Sequence, residues 1–403
     1  MTNNPITDHV ESWRDDFTDA MMGSAPAPLT MLDHGEGAYV WDIDGNKYLD
    51  FLAGIAVNSL GHAHPTLVRA LTEQASKVAH ISNYFASAPQ IELAQRLRRI
   101  TGAGASGRVY FGNSGAEAME AAVKLARRNG QHKKIVALKN AFHGRTMGSL
   151  SLTGKPALRD AFEPLLPGVE HIDTTIEALE AAIGNDVAAL VLEPIKGEAG
   201  VIDLPDGFLR RARELTIEHG ALLILDEIQT GVGRTGTWFA FQQYGIVPDA
   251  ITIAKGMAGG VPIGALVTFG SASDLFTTGQ HGSTFGGNPL ATAAANAVLG
   301  FIENEGLIEN AARRGTEIRS AITAMDSPLV TEIRGSGLLI GVGLAEPKAQ
   351  AVADAALRLG LIVNAPNADS IRIAPPLIIG DSEVAEFADL FAQALSTVTE
   401  AAA

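Results

Sequence analysis

The chain has 403 residues, 46% of them hydrophobic, with a formal net charge of −15 and no cysteine. That length exceeds the usual single-domain size and allows a large core, so two domains are expected. Without cysteine there are no disulfides, thiolate nucleophiles or sulfur-ligated metals, and an acidic chain lacking Lys/Arg runs among aromatics argues against a nucleic-acid partner.

The opening Met1-Thr2-Asn3-Asn4-Pro5-Ile6-Thr7-Asp8 is polar, unlike a signal or transit peptide. No apolar stretch approaches the length of a membrane span, and a cytoplasmic location is expected. Next, Ala38–Ile43 and Lys47–Phe51 alternate around Asp44-Gly45-Asn46, which predicts a hairpin. His62-Ala63-His64 lacks a third ligand in sequence and precedes a proline, so it reads as a loop, and no metal is expected. From about residue 61 to 295, helical and apolar strand segments alternate, the pattern of an α/β large domain with a mostly parallel central sheet covered by helices. Residues 1–60 and 296–403 would form a smaller α+β domain, with strands near Leu338–Ile340 and Ile371–Ile373 and an amphipathic helix from about Ser382.

Within the larger portion, the strand-like Arg108–Phe111 leads into Gly112-Asn113-Ser114-Gly115-Ala116-Glu117. The helix predicted from Ala116 to about Arg128 carries Met119, Ala122, Val123 and Ala126 at helical spacing and ends in Lys124, Arg127 and Arg128, as its dipole favours. Amides at its start, around Ser114, Gly115 and Ala116, would cradle an anion. Farther on, Leu222–Leu225 is an unbroken apolar run ending in Asp226 and Glu227, which reads as a buried parallel strand. Asp226 would then lie at the carboxyl end of that strand, where open α/β sheets place ligands, and a carboxylate there can hold a pyridine nitrogen protonated. Gln229 could hydrogen-bond a ring hydroxyl.

Gly231-Val232-Gly233-Arg234-Thr235-Gly236 satisfies the dinucleotide pattern G-x-G-x-x-G and makes a nicotinamide-dependent oxidoreductase the second reading. Its context argues against that, because Thr237–Phe241 is too aromatic to begin a phosphate-binding helix. Lys255 follows the apolar Thr252-Ile253-Ala254 and precedes Gly256. A lysine at a strand end is ordinarily a snorkelling surface residue, but a desolvated amine is nucleophilic toward an aldehyde, and its surroundings favour a Schiff base with pyridoxal 5'-phosphate. Ser283 and Thr284 lie in the glycine-rich Gly282–Pro289, whose composition suits close approach to a ligand. Arg145 and Arg372 could each clamp a carboxylate with a planar fork of donors.

In this order, with Ala141-Phe142-His143-Gly144-Arg145 and Lys196-Gly197-Glu198-Ala199-Gly200 between them, the motifs resemble the class III, ornithine-type pyridoxal phosphate aminotransferases from near Trp41 to Arg372. The resemblance implies a fold type I transferase in which Lys255 carries the cofactor, Asp226 pairs with the ring nitrogen and Gln229 neighbours the ring oxygen. It further implies that Phe142 stacks on the ring, that the Gly115-Ala116 turn binds the phosphate, and that Thr284 reaches the phosphate of the other subunit of a homodimer with shared active sites. Arg145 with Ser283 would hold the substrate carboxylate, Arg372 the α-carboxylate of glutamate or 2-oxoglutarate, and Glu198 would pair with Arg372 when a substrate lacks a carboxylate there. The implied reaction is ping-pong transfer of the terminal amino group of N2-acetyl-L-ornithine to 2-oxoglutarate, an arginine-biosynthetic step, with Lys255 carrying the proton. Succinylornithine, ornithine and 4-aminobutyrate are alternative donors, and an aminomutase is a related alternative. Contacts from Asn83, Tyr84 and Phe85 are expected to matter for that choice.

Overall fold

Alternation first becomes visible in three short strands, β1 (Leu32–Glu36), β2 (Tyr39–Asp42) and β3 (Lys47–Asp50). The computed structural model describes residues 13–24, 26–130 and 132–400, so the polar start, on which no targeting segment was expected, lies outside the described residues. β2 and β3 form the expected antiparallel hairpin, with Val40 opposite Tyr48. Asp42 sets its turn, because Oδ1 accepts from the amides of Asp44 and Asn46 while Oδ2 accepts from the Tyr48 hydroxyl at 2.8 Å. Gly45 supplies the left-handed residue this turn needs, at φ 84°.

The next strands are β4 (Arg108–Gly112), β5 (Lys134–Leu138), β6 (Val169–Ile172) and β7 (Val187–Leu192). Two short strands, β8 (Ile195–Lys196) and β9 (Ile202–Asp203), precede β10 (Leu222–Asp226), β11 (Ala250–Ile253) and β12 (Gly264–Thr268). Seven of these form one sheet in the order β4-β12-β11-β10-β7-β5-β6. β7, β10, β11 and β12 are buried at every position, so they read as continuous apolar runs because both faces of the sheet are covered. The run β11-β10-β7-β5-β6 is parallel, as expected. β12 alone opposes both of its neighbours. Residues 254–263 are fewer than the roughly dozen a crossover between parallel strands requires, so the chain returns antiparallel.

The helix Gly115–Ala126 ends two residues before the expected limit and buries Met119, Ala122, Val123 and Ala126. Ser114 caps it, accepting from the Glu117 amide at 3.1 Å. The glycine pattern at 231–236 opens no helix of the dinucleotide kind. Arg234 there is buried and donates to the carbonyls of Leu338 and Pro375, and a short 3₁₀ turn, Ala240–Tyr244, follows. That loop is packing between sheets, tied back by Glu227, which accepts from the Ala240 and Phe241 amides.

The carboxyl-terminal portion contributes β13 (Val330–Ser336), β14 (Leu339–Leu344), β15 (Leu361–Ile362), β16 (Asn364–Asn367) and β17 (Ser370–Ile373). The expected strand near 338–340 thus runs on to Leu344. An antiparallel sheet has the order β13-β14-β17-β16, while β15 pairs in parallel with β3 and joins the early hairpin to this late segment. The helix Asp381–Glu400 covers the joint, stacking Phe387 on Phe51 with ring centroids 4.7 Å apart.

Candidate active site

Four parallel strands, β5, β7, β10 and β11, end at one cavity of about 390 Å³, the place where an open α/β sheet offers its carboxyl ends to a ligand. Ser114, Gly115, Ala116 and Phe142 line one part of it. Arg145, Glu198, Asp226, Gln229 and Lys255 line the rest. Nine of the residues singled out in the sequence therefore share one chamber.

Lys255 enters just beyond β11, with φ at +38°, a left-handed conformation that a side-chain-bearing residue holds only where its surroundings impose it. Burial pushes its amine down to about 8, Arg372 adds to the lowering, and Glu198, Asp226 and Glu193 oppose it. With the Gln229 amide oxygen turned toward it, that oxygen accepts from Lys255 Nζ at 2.6 Å and from Arg372 Nη1 at 3.3 Å. The amine is thereby aimed, and at neutral pH roughly a tenth of it is unprotonated, far more than an exposed lysine offers.

Asp226 is held from three sides. Its Oδ1 accepts from the Ile228 amide at 3.1 Å and the Thr252 hydroxyl at 3.2 Å, and its Oδ2 faces His143 Nδ1 at 2.8 Å. Among the described residues Oδ2 meets only that one partner, which leaves it a lone pair for a donor in the cavity. Burial pulls the His143 imidazole down, but the Asp226 hydrogen bond and charge outweigh it and its pKa is raised. Glu193, at the end of β7, is pushed up to about 7 by burial, against the lowering effect of His143, and accepts from the Phe142 amide at 3.2 Å. In the sequence His143 stands out only as part of the Phe142-His143-Gly144 motif, and Glu193 carries no motif of its own. An acid ending the apolar run Val187–Leu192 repeats the signal that drew attention to Asp226 and could have found Glu193.

Arg372, on β17, is 1% exposed and stands behind the cavity wall, where it forms an ion pair with Glu198 and donates from Nε to Asn364 Oδ1 at 3.0 Å. Burial would raise the Glu198 carboxyl, but Arg372, Lys255 and Lys155 outweigh it and hold it low. Arg145 is exposed, its guanidinium 5.7 Å from the Phe142 ring centroid. Ser283 is not in the lining. Its hydroxyl accepts from Asn113 Nδ2 at 3.0 Å, and its carbonyl accepts from Asn83. Thr284, Tyr84 and Phe85 are exposed and outside this cavity. His62 pairs with Asp50 at 2.8 Å and His64 caps the helix Pro65–Ala75, and among the described residues no cluster of metal-ligating side chains is found.

The donor set fits a phosphorylated pyridine aldehyde. The helix at Gly115 presents its first amides, which have no acceptor within the helix, and Gly115 lies so close to Ile228 that a Cβ would come within 2.8 Å of it. Residues 21–395 match the family model described as aminotransferase class-III. An acetylornithine aminotransferase of Bifidobacterium longum is 49% identical, with 92% of this chain and 93% of that protein covered. Among solved structures, the ornithine aminotransferase of Toxoplasma gondii superposes with a TM-score of 0.93 at 33% identity, covering 99% of each chain. The acetylornithine aminotransferase of Elizabethkingia anophelis does so with a TM-score of 0.85 at 34% identity, covering 96% of this chain and 99% of that one.

Proposed function

The chain belongs to the class-III aminotransferases, and on that footing we propose that it moves the terminal amino group of N2-acetyl-L-ornithine to 2-oxoglutarate, giving N-acetyl-L-glutamate 5-semialdehyde and L-glutamate. The observation that carries this reading is the meeting of Lys255 and Asp226, from neighbouring strands, in one cavity. Pyridoxal phosphate, when bound, supplies an aldehyde carbon and a ring that takes up electrons.

The chain's own residues do the rest. The amides at Ser114, Gly115 and Ala116 would hold the phosphate, Phe142 would cover a ring face, and Gln229 would neighbour the ring oxygen. Asp226, oriented by His143, would keep a proton on the ring nitrogen. Lys255 would hold the aldehyde carbon, and its amine, when free, would carry the proton from the substrate carbon. Arg145 and Ser283 take the acyl-ornithine carboxylate. Arg372 takes the α-carboxylate of glutamate or 2-oxoglutarate, and Glu198 covers Arg372 when the bound amine has no carboxylate there. Steady-state rates test the reading: acetylornithine should have the highest kcat/KM among acetylornithine, succinylornithine, ornithine and 4-aminobutyrate, with ping-pong kinetics toward 2-oxoglutarate. Preference for ornithine or 4-aminobutyrate would sink the substrate assignment, and turnover without a keto acid would indicate an aminomutase.

The enzyme works as a homodimer in which Thr284 reaches the phosphate of the other copy. Tyr84, Phe85 and Phe285 are 93, 69 and 61% exposed, and His80 lies against Phe285 at 4.9 Å, so aromatic surface gathers where Thr284 emerges. Apolar surface of this kind calls for a partner. Sedimentation should give twice the 42.1 kDa chain mass, and a monomer at micromolar concentration would refute the shared site. No described helix is long and apolar enough to cross a membrane. A cytoplasmic location is the one that the lack of cysteine fits, and cell fractionation checks it.

A further inference from the structure

Lys155 precedes the short helix Pro156–Arg159, and its Nζ donates to the backbone carbonyl oxygen of Glu198 at 2.5 Å. The side chain is partly buried, and the reaction as described does not use it. Resting on the reading above, we propose that Lys155 is a positioning residue for substrate exchange, receiving the Glu198 carboxylate whenever Arg372 turns to a substrate α-carboxylate.

The need for such a residue follows from the ion pair itself. Arg372 is 1% exposed, and Glu198 is its carboxylate partner among the described residues. When glutamate or 2-oxoglutarate claims the guanidinium, Glu198, whose side chain is 26% exposed, is left charged beside an incoming anion, and removing the partner of a charge largely withdrawn from water is destabilising. The backbone around Glu198 is poorly placed to carry that charge away. A Cβ at Gly197 would run into the Gln229 amide, and one at Gly200, where φ is +106°, would come within 2.7 Å of Ser370 Oγ. The turn is therefore wedged against its neighbours, and the side chain is the part free to move.

Lys155 sits where that movement would lead. Its amine is tethered to the carbonyl of Glu198 itself, so the movement required is a rotation of the Glu198 side chain about its own backbone. Charges already couple the two: burial lowers the Lys155 amine, Glu198 is the foremost group opposing that, Glu193 opposes it too, and Arg372 and Arg145 add to the lowering. Lys255 is the other amine whose charge lowers Glu198, but once released it is needed at the substrate carbon, where it carries the proton.

The test separates the two half-reactions by single-turnover absorbance of the holoenzyme, with glutamate for one and acetylornithine for the other. Lys155→Gln keeps a donor for the Glu198 carbonyl and removes the charge. It should lower kcat/KM of the glutamate half-reaction about tenfold, as loss of a partly buried charge partner does, and Lys155→Arg should restore it. The acetylornithine half-reaction should stay within about twofold of wild type, the scatter of uncoupled sites. In a Glu198→Gln background, Lys155→Gln should add no further loss. An equal fall in both half-reactions would make Lys155 a simple tether of the turn, and a full additional loss in the Glu198→Gln background would mean it acts on substrate directly. Either outcome, or no change at all, overturns the proposal. Failure of the wild-type enzyme to use acetylornithine would instead refute the substrate assignment, and the same ratio can then be measured with whichever amine it accepts.

Discussion

Replacing Lys255 by alanine should reduce turnover at least about 10,000-fold, the scale of losing a covalent nucleophile that also moves the proton. Borohydride, which fixes an imine as a stable amine, should leave a pyridoxyl group on the Lys255 peptide of the wild-type holoenzyme and on no peptide of the variant. The fold should survive, because alanine removes an amine whose burial already disfavours its charge. The same chemistry has a pH signature. The amine is lowered from 10.5 to about 8, and the neutral form that attacks the aldehyde predominates above that value. Cofactor capture by the apoenzyme should therefore quicken as pH rises toward about 8 and then level off, whereas an exposed lysine would keep gaining up to its ordinary value. A Lys255→Ala enzyme with near-normal turnover, or a capture rate still climbing well above pH 8, would remove the basis of the assignment.

Asp226→Asn is expected to cost on the order of 100- to 1,000-fold in kcat, the loss that follows when one partner of a buried charge pair is removed. The substitution is nearly isosteric. The amide oxygen can still accept from the Ile228 amide and the Thr252 hydroxyl, while its nitrogen turns toward His143 Nδ1, which then accepts through a change of tautomer. Thermal stability should therefore shift far less than activity, and the melting temperature measured beside kcat separates electrostatic loss from unfolding. The His143 imidazole, raised chiefly by Asp226 against its burial, should titrate at lower pH in the variant, which its ring-proton NMR signals would report. Activity within tenfold of wild type would show that no ring nitrogen depends on this carboxylate.

Much of this site is legible one segment at a time. The Asp42 hairpin, the Ser114 cap and the all-buried β10 ending in Asp226 each follow from spacing within a few residues. Lys255 is visible too, since an amine beside an apolar run is conspicuous wherever the chain goes next. The antiparallel return of β12 is less so, because an apolar run carries no mark of direction and only the short connection from β11 decides it.

The amino-acid sequence by itself determined which residues are chemically equipped: an amine after a buried strand, an acid ending another, glycine-flanked amides opening a helix. Only the tertiary structure decided which of them meet. His143 reaches Asp226 across 83 positions and Arg372 reaches Glu198 across 174, while Thr284 stays outside the cavity that holds the others. The physical reason is that side-chain periodicity is a property of neighbouring peptide units, whereas contact across a sheet depends on strand order and direction, which are set by how the whole chain buries its apolar faces.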